Sequence, residues 1–278
     1  MHQYINEMKE HEFVLWVIGA NAKDKGKFVY ELPKNVVEVH EVFLDDALRL
    51  KDSGKMFHAF TEEETNSLKE LMLCRRPNWE ILFRLYHDQK LNPMSFLRSE
   101  EFLNILTECC IKDYPYTPFA DAFHTMRSML LPVLYLMGSE VPKADVYHAI
   151  CTGYGGLLAC LGGHVYKKKV LLTEHGIYTR EREEEIIRAK WVQPAFKKQW
   201  ISFFYMLSDI IYTRAFLVSA LFTNAMHAQI QMGCDKGKCR VVENGINYER
   251  LSHSIEKETD GLTSVRSCVW HRSRISRR

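Results

Sequence analysis

Between Thr173 and Arg182 the chain reads Thr-Glu-His-Gly-Ile-Tyr-Thr-Arg-Glu-Arg, an acid, an imidazole, a glycine, a phenol and two guanidinium groups in one short stretch. Each type has a use. His175 changes charge near neutral pH and can donate or accept a proton, and Glu174 beside it could orient the ring. Gly176 leaves room for a ligand. Arg180 could grip a phosphate or carboxylate through paired N–H donors. Tyr178 adds a hydroxyl. Arg182 reads differently: within Arg180–Glu185 opposite charges fall three and four residues apart, a pattern of pairing along a helix surface. The stretch predicts a site for an anionic or sugar ligand.

Two further groups could join it. Thr152-Gly153-Tyr154-Gly155-Gly156 is a glycine turn between a strand and a helix. Glycines let backbone approach a ligand, and a helix start offers unpaired N–H groups to an anion. A tight connecting turn is the plainer reading of the same residues. His148 closes the preceding strand, where a hydrogen-bonded structural histidine is the commoner outcome. Asn244-Gly245 follows a late strand and signals a turn. No G-x-S-x-G elbow and no H-E-x-x-H occurs. Eight cysteines include no C-x-x-C pair, and Cys234-x4-Cys239 flanks a turn composition, so no metal is expected.

The positioning elements follow from periodicity. Glu12–Ala20 and Val36–Val42 read as strands, Thr61 as the cap of a helix reaching about Cys74, and Trp79–His87 as helical. Asn92-Pro93 is expected to break that helical piece, Ser99–Cys110 to be helical, and Phe119–Met137 to be a helix kinked or broken at Pro132. After Pro142, short strands alternate with helices: Asp145–Ile150, a helix from about Leu157, Val170–Leu172, a Glu174–Arg182 loop, and a long helical region from about Glu183 to Ser208. Ala215–Phe222, a helix over Met226–Met232 and Arg240–Glu243 complete the series. This alternation predicts an α/β, Rossmann-like parallel sheet with helices on both faces. In such a sheet, ligands bind at the carboxyl ends of the strands.

The 278 residues are 46% apolar and 26% charged, enough for a sizeable core. Net charge is +2, but five arginines and no acid lie in Gly261–Arg278, which leaves a balance of −3 on the rest. A nucleic-acid partner is therefore not expected. The arginine- and serine-rich segment 251–278 is expected to be a disordered tail. Met1–Glu12 carries no secretion pattern, and the cysteines read as free thiols of a reducing cytosol, so a cytoplasmic location is expected. Asp209 and Arg214 interrupt the apolar run Ile201–Phe222, which reads as a buried helix rather than a membrane span.

Several motifs occur in one order: His148-x4-Gly153-Tyr154-x-Gly156-Leu157-Leu158-Ala159; then Leu172–Arg182; then Thr223-Asn224 and Gln231-x-Gly233; then Val241-Val242-Glu243-Asn244-Gly245-Ile246. Together with Tyr30–Val36, they resemble the amino-terminal domain of PelF-type glycosyltransferases, family 4 retaining enzymes of GT-B fold. The resemblance spans roughly residues 4 to 250. It implies a GT-B amino-terminal, acceptor-side domain over 1–250 with a helical insertion, transferring sugar from a UDP-sugar to a polysaccharide acceptor without a metal or other cofactor, with a membrane-associated synthase complex as a candidate partner. By motif position it implies that His175 meets the donor sugar or its developing charge. Glu174, Gly176, Tyr178, Arg180, His148, Gly153 and Tyr154 would line the cleft, with Asn244 and Gly245 near an interdomain crossover. Compared with that family the chain looks truncated at both ends, lacking a first strand and the nucleotide-binding domain, and is expected to be inactive alone. The alternatives are a non-catalytic glycan- or partner-binding remnant, and an unrelated α/β enzyme using Glu174 and His175 as an acid–base pair.

Overall fold

The computed structural model describes residues 2–29, 31–50 and 58–245. Tyr30, Ile246, Asn247 and the tail 251–278 lie outside the described residues. Residues 1–243 form one compact unit, and Asn244 opens a second. The fold is α/β with parallel sheets.

The chain opens with α1 (His2–Glu7), β1 (Phe13–Gly19) and β2 (Val36–Phe43), the two strands pairing in parallel. Asn35 ties them to α1: its amide donates to the carbonyls of Ile5, Met8 and His11 at 2.9–3.2 Å. β1 is apolar throughout (Phe-Val-Leu-Trp-Val-Ile-Gly), yet none of its residues is buried.

A helical insertion follows. It comprises α2 (Glu62–Met72), α3 (Trp79–Phe83, extended by a π turn to Asp88), α4 (Pro93–Leu97), α5 (Glu100–Asp113) and α6 (Phe119–Met137). Thr61 caps α2 as expected, in a full capping box with Glu64. One expectation changes here, and one of two alternatives falls away. Asn92-Pro93 starts a helix rather than only breaking one, because the Asn92 side chain accepts from Met94 N at 2.9 Å and Pro93 takes the first helical position, where its missing N–H costs nothing. Pro132 lies inside α6 without ending it.

The second half alternates β3 (Val146–Ala149), α7 (Gly153–Tyr166), β4 (Lys169–Glu174), α8 (Tyr178–Arg188), α9 (Lys197–Arg214), β5 (Leu217–Ala220), α10 (Thr223–Gln231) and β6 (Cys239–Val241). The strands pair in parallel in the order β3-β4-β5-β6. α7 packs against Tyr147 of β3, and α9 and α10 both bond Glu174 of β4, so these helices cover one face. Contact there is close: a Cβ on Gly162 of α7 would collide with the Tyr147 ring of β3, and Gly156 lies against Ile211 of α9. The other face is met by Tyr4 of α1, edge-on to His148 with ring centroids 6.0 Å apart. The expected helix over 183–208 is two helices. The chain leaves α8 at Ala189 and restarts through the turn Pro194–Phe196, where Pro194 fixes the new start. Among the described residues no helix is long and apolar enough to cross a membrane. α9 instead buries Phe203, Phe204, Leu207, Ile210 and Ile211 in the core.

Candidate functional site

Parallel strands end on a common rim. Register aligns Ala149 of β3 with Leu172 of β4, and Glu174 of β4 with Ala220 of β5. α7, α8 and α10 each begin within a few residues of those strand ends, at Gly153, Tyr178 and Thr223. The residues at their starts, Thr152, Ile177 and Phe222, make no side-chain cap bond. The starts of α7 and α10 thus present amide donors without a side-chain cap along one edge, the arrangement that suits an anion, while the first amide of α8 is met by Glu174.

His175 and Gly176 follow β4 directly and are exposed. Glu181 of α8 folds back over Gly176, so a Cβ there would strike the carboxylate. Glu174 behaves oppositely. It is 2% exposed, and its oxygens are taken inside the protein. Tyr212 of α9 donates to Oε2 at 2.7 Å, the Gln229 amide of α10 donates to Oε2 at 3.0 Å, and Tyr178 N donates to Oε1 at 3.3 Å. Burial raises its pKa above the usual 4.5, against the pull of these donors. Glu174 therefore fastens the rim loop to the starts and sides of three helices, and its carboxylate is not turned to His175.

The glycine turn proves tighter than its sequence suggests. α7 starts at Gly153, so Tyr154, Gly155 and Gly156 are its first turn. Gly153 has φ +69°, and a Cβ on it would lie 2.7 Å from the Tyr178 ring. The turn after β3 and the first residue of α8 are thereby packed together. Tyr178 in turn meets Phe204 edge-on at 6.0 Å, and Arg182 lies over its ring at 5.3 Å. Burial pushes the Tyr178 hydroxyl up to about 12. Tyr154 points into packing against Phe203, and burial raises its pKa as well. Thr152 is buried, with its hydroxyl 2.7 Å from Ser208 Oγ of α9.

His148 sits one level below the rim, on the face away from α7. Its Nε2 is 2.8 Å from Thr173 Oγ1, which is 2.8 Å from Ser219 Oγ, which reaches the Leu172 carbonyl at 3.3 Å. Running the donors toward that carbonyl makes His148 the Nε2–H tautomer. Burial lowers its pKa below 6.5, so the ring is neutral at pH 7.

Arg180 is exposed on α8 and makes no side-chain hydrogen bond or ion pair among the described residues; its charge acts on the Tyr205 hydroxyl of α9. Arg182 pairs with Glu185 at 2.7 Å, the intrahelical pairing its spacing suggests. The structure thus gathers Gly153, Tyr154, Glu174, His175, Gly176 and Tyr178 at one place. Asn244 and Gly245 are exposed and belong to the second unit. Sequence reasoning missed Tyr212, Gln229, Thr173, Ser219 and Ser208. Thr173 and Ser219 carried a faint signal as polar residues at equivalent places in apolar strands; Tyr212 and Gln229 carried none.

Two concavities of about 380 Å³ and 350 Å³ lie elsewhere, one lined by His87, Lys90 and Tyr166, the other by Arg75, Arg76 and Asp209.

A parallel α/β sheet with a loop-built rim at its strand ends defines the class. Within that class the chain matches the family described as Domain of unknown function (DUF3492) over residues 1–237, and it belongs to that family. This domain is associated with glycosyltransferase-like proteins. No curated protein and no solved structure matches the chain.

Proposed function

We propose that the chain is a glycosyltransferase domain whose rim receives a UDP-sugar and a polysaccharide acceptor, as the resemblance to PelF-type enzymes implies. The supporting observation is that the starts of α7 and α10, which carry no side-chain cap, and the exposed His175 all follow strand ends on one rim. Transfer breaks the bond between the sugar anomeric carbon and the diphosphate and makes one to an acceptor hydroxyl. The departing diphosphate gains charge, which fixed amide donors stabilise without reorganising. In this reading His175 meets the sugar or its developing charge, and the space over Gly176 is taken by the Glu181 carboxylate. Glu174 acts through the loop it holds rather than by touching substrate. Gly153 and Tyr178 set the shape of the rim.

The test is an amide NMR titration of the full chain with UDP and with UDP-sugars. The expected result is shifts confined to Gly153–Gly155, His175–Tyr178 and Thr223–Ala225, weakened by His175→Ala. Turnover assays with a polysaccharide acceptor then separate a transferase from a domain that only binds glycan. Shifts that cluster away from these three segments, or none at millimolar ligand, would overturn the reading.

A further inference from the structure

We propose that Cys234 and Cys239 are a redox site that closes to a reversible disulfide with hydrogen peroxide as oxidant. Their sulfurs lie 3.4 Å apart, and the residues are 3% and 4% exposed. A disulfide needs S–S near 2.05 Å, so closure asks for an approach of roughly 1.4 Å. Among the described residues no other pair of the seven free thiols comes into sulfur–sulfur contact.

The backbone holds this pair from both sides. Gly233, at φ +103°, turns the chain out of α10, and Cys234 N donates to the Gln229 carbonyl at 3.0 Å. Cys239 opens β6 opposite Val218. Between them Asp235 accepts from Gly237 N at 2.8 Å, and its carbonyl sits 3.9 and 3.4 Å from the two sulfurs. Lys238 pins the loop by donating to the Thr213 carbonyl at 2.7 Å. The thiols thus face each other because the fold fixes both ends of a short loop.

The chemistry balances. One thiolate attacks a peroxide oxygen, the O–O bond breaks, and hydroxide leaves a sulfenic acid behind. The second thiolate attacks that sulfur, the S–O bond breaks, and a second hydroxide leaves. The two thiol protons convert the hydroxides to water, so two thiols and one peroxide give one disulfide and two waters. Burial pushes the Cys234 thiol up to about 12, which makes the reaction slow at neutral pH and faster as pH rises.

The experiment treats the folded full chain with hydrogen peroxide at mildly alkaline pH, blocks remaining thiols with N-ethylmaleimide, and digests with trypsin without reduction. Cleavage after Lys236, Lys238 and Arg240 separates the two cysteines, so the expected product is the Cys234 peptide joined to Cys239-Arg240. Dithiothreitol should release it, and Cys239→Ser should abolish it. The melting temperature should rise on oxidation and return on reduction. The proposal is overturned if both cysteines are recovered blocked, if Cys234 is joined to another cysteine, or if the link forms only in denaturant.

Discussion

Replacing Glu174 tests the packing of the rim most directly. Glu174→Ala would strand the Tyr212 hydroxyl and the Gln229 amide, which are 1% and 0% exposed, and would loosen Tyr178 N. A buried donor left unpaired costs about 1–3 kcal/mol. Two such donors and a small cavity add up to about 3–5 kcal/mol once relief from burying a carboxylate is set against them. That is a large share of an ordinary domain's stability of about 5–15 kcal/mol. Glu174→Gln differs in kind. Its carbonyl oxygen can take the place of Oε2 and receive both Tyr212 and Gln229, leaving only the weak 3.3 Å bond from Tyr178 opposed by an amide. We expect a loss near 1 kcal/mol. Urea unfolding with an unchanged slope measures both.

The pH dependence supplies a second check. Burial holds the Glu174 pKa above 4.5 in the folded chain. The folded state therefore keeps this proton to higher pH than the unfolded chain does, and the side chain's contribution falls as pH rises from about 4.5 through the folded value. The loss caused by Glu174→Gln should be largest near pH 4 and shrink toward neutrality. Equal losses for Ala and Gln, or a loss below 1 kcal/mol for Ala, would refute the view that Glu174 is a hydrogen-bonded fastener.

Other outcomes follow from the same geometry. Gly153→Ala combines a left-handed backbone with a clash on Tyr178, and should cost at least about 2 kcal/mol by urea unfolding, whereas Gly245→Ala should cost nothing measurable. His148 and His87 both have pKa values lowered below 6.5, chiefly by burial. The unfolded chain takes up those protons first, so stability should fall as pH drops below about 6.5, and His148→Asn should flatten part of that slope. Thr61→Ala removes the capping box of α2 and should cost about 0.5–2 kcal/mol, read from the thermal midpoint.

Much of the fold could be read from the sequence because the signals were local. Thr61 with Glu64 marks a helix start by itself, and the strands after Pro142 are short apolar runs between helices. What failed was also local in part. Pro194 lies inside a helical pattern, although proline there fits a new start better than a helix interior. The first turns of α7 and α8 read as loops because glycines and mixed charges dilute the helical pattern. β1 is a different matter. A run of seven apolar residues reads as a strand covered on both faces, yet among the described residues it pairs only with β2 and stays half-exposed. Its composition asks for more cover than the described residues supply.

The candidate site shows how far alternation alone could have gone. Successive residues of a strand point to opposite faces. Val170, Leu172 and Glu174 therefore share the face that packs on the helices, while Leu171 and Thr173 share the other. Read this way, the acid of the Glu-His pair belongs inside and the imidazole after it belongs to the rim, so the two adjacent residues divide support from contact. What alternation could not supply was the set of partners that makes an inward carboxylate tolerable. Tyr212 and Gln229 lie 38 and 55 residues further along the chain, and only the packing of α9 and α10 on β4 brings them to it. The same packing aligns the starts of α7, α8 and α10, so the features that favour an anion at the rim and the bonds that fix Glu174 beneath it arise from one arrangement of helices.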